Sequence, residues 1–321
     1  MTDVTADIDA MIARARKAQQ SYEANGSQER FDRAAEAAAW ALMEPSRNAE
    51  LAAFAVAETG LGKTMLGIIS VIFGFALTPL VLSAFVPPSW SLATGTTAAG
   101  LTVQLAGFAL PLGLLGVVVW SLHGRSFASL FGPRDHAFGG FRSVFVKVLI
   151  VIAIMQAAPP WPGEEDIALI RPLAAWLVYL PLAVPAVIIQ VTAEEAFFRG
   201  YIQQQLAARW ASPQVWMIAP AVAFGSIHFL NAETLIEGIV WSLWATLFAL
   251  SAADLTARHG SLGPAIGLHL ANNLFAILLF GIDGRASNGL ALILVSPPEA
   301  DLSTLGPEAL LTPWGLGQIA L

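Results

Sequence analysis

The fold is decided by residues 177–200, which read LVYLPLAVPAVIIQVTAEEAFFRG. An uncharged apolar run is followed at once by two adjacent carboxylates, Glu194 and Glu195, and by an arginine, Arg199. Burying an ionised group in hydrocarbon costs several kcal/mol or more, so charges in such a place are seldom accidental. The stretch is therefore either an ordinary cytoplasmic loop or a functional site inside a membrane.

The composition indicates a membrane protein. Of the 321 residues, 56% are hydrophobic and only 12% are charged, and the mean hydropathy is +0.66. Soluble domains carry roughly a quarter of charged residues. Cysteine is absent, which excludes a disulfide framework, a thiolate zinc site and a cysteine nucleophile.

Apolar runs long enough to cross a bilayer begin near Met65. They predict an all-α, polytopic bundle of about seven transmembrane helices, with six or eight as alternatives. The run GLALILVS at 289–296 is too short to cross and is expected to pack back onto the bundle. The candidate spans are 65–86, 96–121, 143–160, 172–192, 213–232, 236–253 and 263–283.

The basic residues predict the orientation of the bundle. With the N-terminus inside, only Arg171 and Arg285 of the sixteen lysines and arginines fall on the outer side. We therefore expect an integral protein of the bacterial inner (plasma) membrane with a cytoplasmic N-terminus.

The chain divides by composition into three parts. Residues 1–62 are rich in Ala, Glu and Arg and predict a soluble cytoplasmic segment of two or three amphipathic helices, with breaks near Asn25-Gly26 and Pro45. Residues 63–296 form the predicted transmembrane domain, and residues 297–321 a Pro-rich, irregular tail.

The first part also resembles a known family. Its runs ARARKAQ, SQER and AVAETGLG are similar to the N-terminal helices of acylating aldehyde dehydrogenases. The catalytic cysteine of that family has no counterpart in a chain without cysteine. The resemblance therefore implies a borrowed or fused helical segment and no dehydrogenase activity.

The charged stretch has the spacing of an intrahelical ion pair. On a helix Glu195 and Arg199 are four residues apart and lie one above the other, so they can pair. Glu194 lies about 100° away around the helix. One carboxylate can then be neutralised while its neighbour is available for chemistry; the alternative is a surface ion pair at a cytoplasmic helix end.

Further polar residues lie in two later apolar runs. His228 follows WMIAPAVAFGSI, and the run GPAIGLHLANNLFAILLFG contains His269 and Asn273 at i and i+4. Asn272 is expected to face another way, so Asn273 is the preferred partner of His269. Ionisable residues inside a membrane are functional candidates by default, although a lone histidine is more often a hydrogen-bonded packing residue.

The drawn spans place these groups at different depths. If the span of His228 starts near Pro213, His228 lies fifteen residues into the membrane, about 22 Å at 1.5 Å per residue. Glu194 would then lie near the inner face. Either the helix of Glu194 reaches deeper, or the span of His228 starts later.

The order EExxxR, FxxxH and HxxxN on successive apolar helices resembles the CPBP intramembrane proteases. That family includes the CAAX prenyl endopeptidases and the bacterial Abi, or bacteriocin-immunity, proteins. The run FFRGYIQQQL after the glutamates is also similar to the family's FRGxLxxxL continuation. The resemblance covers about residues 172–285, the motif core of the transmembrane domain.

Peptide hydrolysis gives each group a role. A base must deprotonate water, and the tetrahedral oxyanion must be stabilised. Glu194 is the expected base, and His228 would hold the same water and pass its proton to the leaving amine. His269 and Asn273 are expected to stabilise the oxyanion. The resemblance implies the same assignments.

Glu195 and Arg199 are expected to support the site by fixing the helix beside Glu194. Zinc is the open alternative, since Glu194, His228 and His269 could supply three ligands and leave one position for water. There is no HExxH helix, and we expect no obligatory metal or other cofactor.

The sequence therefore predicts an intramembrane endopeptidase that hydrolyses membrane-associated substrates with a glutamate-activated water. The expected partners are the lipid bilayer and a peptide or protein substrate, either prenylated or unmodified, and no nucleic acid. One rival is a non-catalytic immunity or scaffold protein of the same fold. Another is a proton-coupled transporter, which is disfavoured because no internal repeat is visible.

Overall fold

The computed structural model describes residues 4–24, 26–43, 60–158, 166–232 and 234–296. The chain separates into two compact units, residues 1–62 and 63–321. The α-helices of the described residues are α1 (Val4–Ala24), α2 (Gln28–Met43), α3 (Leu61–Ser83), α4 (Ala98–Ala106), α5 (Ala109–His123), α6 (Arg134–Ala157), α7 (Leu173–Glu195), α8 (Gln204–Ala207), α9 (Ala219–His228), α10 (Leu235–His259) and α11 (Gly263–Leu278).

The first unit contains α1 and α2. α1 ends at Ala24 and α2 begins at Gln28, and the Ser27 hydroxyl accepts a hydrogen bond from the Arg30 amide at the start of α2. The second expected break, at Pro45, lies outside the described residues, as does the predicted tail at 297–321. The cytoplasmic placement of residues 1–62 stays a prediction.

Among the described residues, five helical stretches are long and apolar enough to cross a membrane, which confirms the predicted helical membrane bundle. They are Leu61–Ser83, Ala98–His123, Arg134–Ala157, Leu173–Ala207 and Leu235–His259. The other two predicted spans, 213–232 and 263–283, contain shorter helices. α9 has ten residues and continues the π-helical segment Gln214–Ile218, and α11 has sixteen residues.

The helix that carries the glutamates extends well beyond the expected end at residue 192. It includes two interior prolines, Pro181 and Pro185, and continues past Glu195 through a π-helical segment, Ala196–Gln203, into α8. Such widened turns are frequent at functional sites.

This continuation removes the predicted difference in depth. Glu194 lies thirteen residues before Ala207, about 20 Å at 1.5 Å per residue. His228 lies fourteen residues after Gln214, where the π-helical turn Gln214–Ile218 leads into α9, about 21 Å by the same measure. The first of the two sequence-based alternatives, a deeper glutamate helix, is the one that the structure has.

Glycines bring α11 close to α6, and this position fixes the helix that carries His269. A Cβ on Gly267 would lie 2.6 Å from the Phe141 carbonyl oxygen, and one on Gly263 would overlap the Ala137 carbonyl. Small residues spaced four apart allow such backbone approach between membrane helices. The residues GPAIG at 263–267 therefore position the helix that carries His269 and Asn273.

A small sheet, which the sequence did not predict, covers one end of the bundle. β3 (Ile293–Val295) pairs antiparallel with β1 (Ile167–Ile170) and parallel with β2 (Phe280–Ile282). The segment 289–296 thus packs back onto the bundle as a strand. The indole N–H of Trp176 donates to the carbonyl oxygens of Leu278 and Leu290 and ties this end to α7.

Candidate active site

A polar cavity of about 250 Å³ lies inside the bundle, and all four predicted catalytic residues line it. It is formed by side chains of α4, α7, α9, α10 and α11 and by the loop that follows β2. The lining residues are Leu101, Gln104, Leu105, Phe108, Gln190, Glu194, Phe224, His228, Asn231, Trp244, Phe248, His269, Asn272, Asn273, Ile277 and Ser287.

Glu195 and Arg199 form a buried ion pair beside this cavity. Arg199 Nη1 donates to Glu195 Oε1 at 2.9 Å, and the two side chains are 2% and 0% exposed. Arg199 Nη2 donates to the Ala249 carbonyl, and its guanidinium lies 4.8 Å from the centre of the Phe224 ring. The pair therefore links α7, α9 and α10, and neither partner is a cytoplasmic surface group.

The buried His269 imidazole is held by the same carboxylate. Its Nδ1 lies 2.7 Å from Glu195 Oε1. A carboxylate accepts, so Nδ1 carries the proton and Nε2 faces the other way. Nε2 lies 3.7 Å from Glu194 Oε2. A carboxylate that fixes one imidazole nitrogen sets the tautomer and orientation of the ring.

Glu195 Oε2 has no hydrogen-bond partner among the described residues, although it is buried. Oε1 therefore takes both the Arg199 and the His269 contacts, and one side of the carboxylate is left unsatisfied. Unsatisfied buried polar atoms are rare in proteins and often mark functional strain.

Glu194 differs from its neighbour in exposure and in partners. Its side chain is 17% exposed and lines the cavity, and only His269 Nε2 approaches it as an ionic partner among the described residues. Arg199 forms its ion pair with Glu195. The two adjacent carboxylates thus have the separate environments that their 100° offset predicts.

His228 is oriented by its own helix. Its Nδ1 lies 2.9 Å from the Phe224 carbonyl oxygen, one turn earlier. Because a carbonyl oxygen only accepts, Nδ1 is the protonated nitrogen, and the neutral ring keeps its lone pair on Nε2. The Phe224 ring also packs against His228, with centroids 4.8 Å apart. The motif FxxxH therefore supplies an oriented imidazole.

Asn273 has two amide partners in the site. Its Nδ2 donates to Gln190 Oε1 at 3.0 Å, and its Oδ1 accepts from Asn272 Nδ2 at 3.2 Å. One hydrogen of Nδ2 is thus used, and the second remains for a ligand. The expectation that Asn272 faces away was wrong, because Asn272 lines the same cavity and donates to Asn273.

Gln190 was missed by the sequence analysis. It is 7% exposed, lies one helical turn before Glu194, and connects α7 to α11 through Asn273. A polar residue four positions before the candidate base, on the same face of an apolar helix, was a signal that could have found it.

A second, larger cavity opens beside the first and is apolar. This groove has a volume of about 840 Å³ and lies between α3, α5, α9 and the π-helical segment Ala196–Gln203. It shares Gln104, Phe108, Glu194, Phe224 and His228 with the polar cavity. The candidate base therefore faces a polar and an apolar compartment at once.

The geometry does not fit zinc. A catalytic zinc ion takes three protein ligands at about 2.0–2.2 Å. Among the residues that the structure describes, no three His, Asp or Glu side chains are grouped to hold an ion. The ligand set Glu194, His228 and His269 is thus not assembled, and we assign no step to a metal.

Fold and site together define a polytopic helical membrane protein with carboxylate, imidazole and amide groups around an internal cavity. A family model matches residues 175–275. This segment contains all of these groups except those of α4 and of the loop after β2. That model describes the type II CAAX prenyl endopeptidase Rce1-like family. The resemblance predicted from the three motifs is confirmed over this segment, which carries a CAAX-protease-like intramembrane fold.

Two curated relatives are similar to parts of the chain. The uncharacterized protein YyaK of Bacillus subtilis is 35% identical over 104 residues, which are 32% of each protein. The acylating sulfoacetaldehyde dehydrogenase of Cupriavidus necator is 54% identical over 55 residues, 17% of this chain and 11% of that enzyme. The chain thus matches about a third or less of the length of these relatives. No solved structure matches it.

Proposed function

We propose that this protein is an intramembrane endopeptidase in which Glu194 activates the attacking water. The observation that carries the proposal is the unequal treatment of two adjacent carboxylates. Glu195 is fully buried and bound to Arg199 and His269, whereas Glu194 reaches the cavity. A carboxylate that is partly desolvated and free of an arginine is suited to act as a general base.

Water activation uses Glu194 together with His228. The neutral His228 ring has its Nε2 lone pair free, because Nδ1 is bonded to the Phe224 carbonyl. It can accept a hydrogen bond from the same water that Glu194 deprotonates. The proton taken from the water is then available for the leaving amine, as acid–base catalysis of amide hydrolysis requires.

The oxyanion is stabilised by donors on α11. His269 is held by the Glu195 carboxylate through Nδ1, so its Nε2 faces the cavity and donates to the oxyanion when that nitrogen carries a proton. The free hydrogen of Asn273 Nδ2 is the second donor. Gln190 and Asn272 fix the plane of that amide, and Arg199 holds Glu195 in place.

The proposed substrate is a peptide joined to a hydrocarbon chain. The groove of about 840 Å³ is lined mostly by apolar side chains and reaches Glu194 and His228. A chain such as a prenyl group would lie in the groove while the peptide lies in the polar cavity. The family description of CAAX prenyl endopeptidases agrees with such a substrate.

We place the protein in the bacterial inner membrane with residues 1–62 in the cytoplasm. The support is the distribution of lysine and arginine, of which only Arg171 and Arg285 fall on the other side under this orientation. A protease reporter or a cysteine-accessibility label introduced near residue 20 would test the orientation in intact cells.

Activity is tested with the purified protein in detergent and a library of peptides with and without a farnesylated cysteine. Wild-type protein should cleave at least one member, and Glu194→Ala and His228→Ala should each reduce the rate at least about a hundred-fold. Asp254→Asn is the matched control, because it removes an exposed carboxylate that pairs with Arg258 on α10. It should leave the rate unchanged.

Three other outcomes would contradict the proposed function or its mechanism. A wild-type protein that binds a peptide but cleaves none under any condition would identify a non-catalytic scaffold or immunity protein. Cleavage that survives in both Glu194→Ala and His228→Ala would contradict the assigned mechanism. Loss of activity with a chelator, restored by zinc, would contradict the metal-free mechanism.

A further inference from the structure

Gln104 on α4 lies where the polar cavity meets the apolar groove. Five residues line both compartments, and the hydrogen-bonding ones among them are Gln104, Glu194 and His228. Glu194 and His228 belong to the three motifs. Gln104 belongs to none of them and lies outside the segment 175–275 that matches the family model.

The Gln104 amide is not engaged by the protein. Its Oε1 is buried and has no hydrogen-bond partner among the described residues. It packs beneath the loop before α4, where a Cβ on Gly95 would lie 2.7 Å from this oxygen. The amides of Gln190, Asn272 and Asn273, which line the same cavity, are all hydrogen-bonded. Gln104 Oε1 is therefore the buried amide oxygen of this cavity that the described residues leave without a partner.

A primary amide is a close match for a peptide group. It carries a donor and an acceptor in one plane, and it can turn about its terminal torsion at low cost because that torsion is broad. A buried amide oxygen without a partner is unfavourable until a ligand supplies one. The amide of Gln104 could therefore accept from the N–H of a peptide bond or donate to its carbonyl.

We propose that Gln104 binds a backbone peptide group of the substrate next to the scissile bond. This inference rests on the proposed endopeptidase function. A substrate whose hydrocarbon chain enters the groove and whose peptide enters the polar cavity has to cross the junction of the two compartments. Gln104 would hold the peptide there, opposite Glu194 and His228, through a contact that is the same before and during the reaction.

The first test is the variant Gln104→Met, which keeps the side-chain length and removes the amide. The contact is made to a group that does not react, so it is equal in the ground state and the transition state. KM should rise about ten-fold while kcat stays within about two-fold. An unchanged KM, or a fall in kcat alone, would overturn the assignment.

Thr102→Val is the matched control on the same helix. The Thr102 hydroxyl donates to the Ala98 carbonyl of its own helix, and Thr102 lines neither cavity. Its KM should equal that of wild type. Equal thermal unfolding of the Gln104→Met and wild-type proteins in the same detergent would exclude a folding effect.

The second test measures binding and does not require turnover. A labelled farnesylated peptide is titrated onto the Glu194→Gln variant, with and without Gln104→Met, using a set in which each backbone amide in turn is replaced by an ester. If Gln104 accepts from a peptide N–H, one ester position weakens binding several-fold in Glu194→Gln. That position has no effect in the double variant. Equal sensitivity in both proteins would contradict the inference.

The two proposals can fail separately. Gln104-dependent binding without cleavage by wild-type protein would remove the proposed activity and leave the Gln104 contact standing. Cleavage with the same KM in wild type and Gln104→Met would support the proposed activity and remove the Gln104 contact. Absence of binding for every peptide in the set would overturn both.

Discussion

Two acidic–arginine pairs with the same four-residue spacing have very different surroundings in this bundle. Glu195–Arg199 is almost fully buried in the middle of the long glutamate helix, and its carboxylate also binds His269. Asp254–Arg258, near the end of α10, is exposed, at 42% and 79% of the side-chain surface. Spacing alone predicts both pairs. Their surroundings decide that one is part of a site and the other is a surface feature.

The largest expected effect is on stability when the buried pair is broken. Arg199→Met leaves the Glu195 carboxylate without its arginine in a fully buried position. The free energy of unfolding should fall by about 3–5 kcal/mol. Equilibrium unfolding in mixed detergent measures it. Arg258→Met, the matched change in the exposed pair, should give no measurable loss, and equal losses in both variants would refute the comparison.

The next effect separates stability from chemistry. The double variant Glu195→Met with Arg199→Met removes both charges and replaces them by side chains of similar length. Most of the stability lost in Arg199→Met should return, because an apolar replacement of a buried pair is often neutral. Hydrolysis should nevertheless be lost in the double variant, since His269 no longer has the carboxylate that orients it. Recovery of both properties would show that Glu195 has no role at the site.

A smaller effect is expected at the amide contact between α7 and α11. Gln190→Leu removes the acceptor of Asn273 Nδ2 and leaves that group buried without its partner. The free energy of unfolding should fall by about 1–3 kcal/mol. The rate should fall about ten-fold, because the amide plane is no longer fixed. A full loss of activity would instead place Gln190 in direct contact with the substrate.

The smallest effect is predicted for the exposed pair itself. Asp254→Asn should change neither the unfolding curve nor the hydrolysis rate, and added salt should not alter this result, since exposed pairs contribute little and are screened. A clear loss in either measurement would show that this end of α10 takes part in a contact of the assembled protein.

The local geometry of the motif could be predicted from the sequence, but its depth could not. The i, i+4 rule placed Glu195 against Arg199 and turned Glu194 away, because these relations depend only on the helix. The end of that helix was misplaced by fifteen residues, from 192 to 207, because charges and amides were taken as a boundary. They are instead buried by other helices, which a hydropathy pattern does not report.

Contacts between helices were the part that the sequence left open. The His269–Glu195 bond and the Gln190–Asn273 bond join residues more than seventy positions apart, so no periodicity indicates them. The three-stranded sheet was missed because strands of three or four residues have too short a pattern to detect. α9 and α11 are shorter than the spans predicted for them, because turns of other helical geometry adjoin α9 and a strand follows α11.

In the proposed mechanism Glu194 activates water and does not itself attack the substrate. A single-turnover reaction of the purified protein with a farnesylated peptide in ¹⁸O-labelled water tests it directly by mass spectrometry. The mechanism predicts cleavage with one ¹⁸O atom in the new carboxyl group of the product and none in the Glu194 side chain. Label in Glu194 would indicate an acyl-enzyme intermediate, and absence of any cleavage would contradict the protease assignment itself.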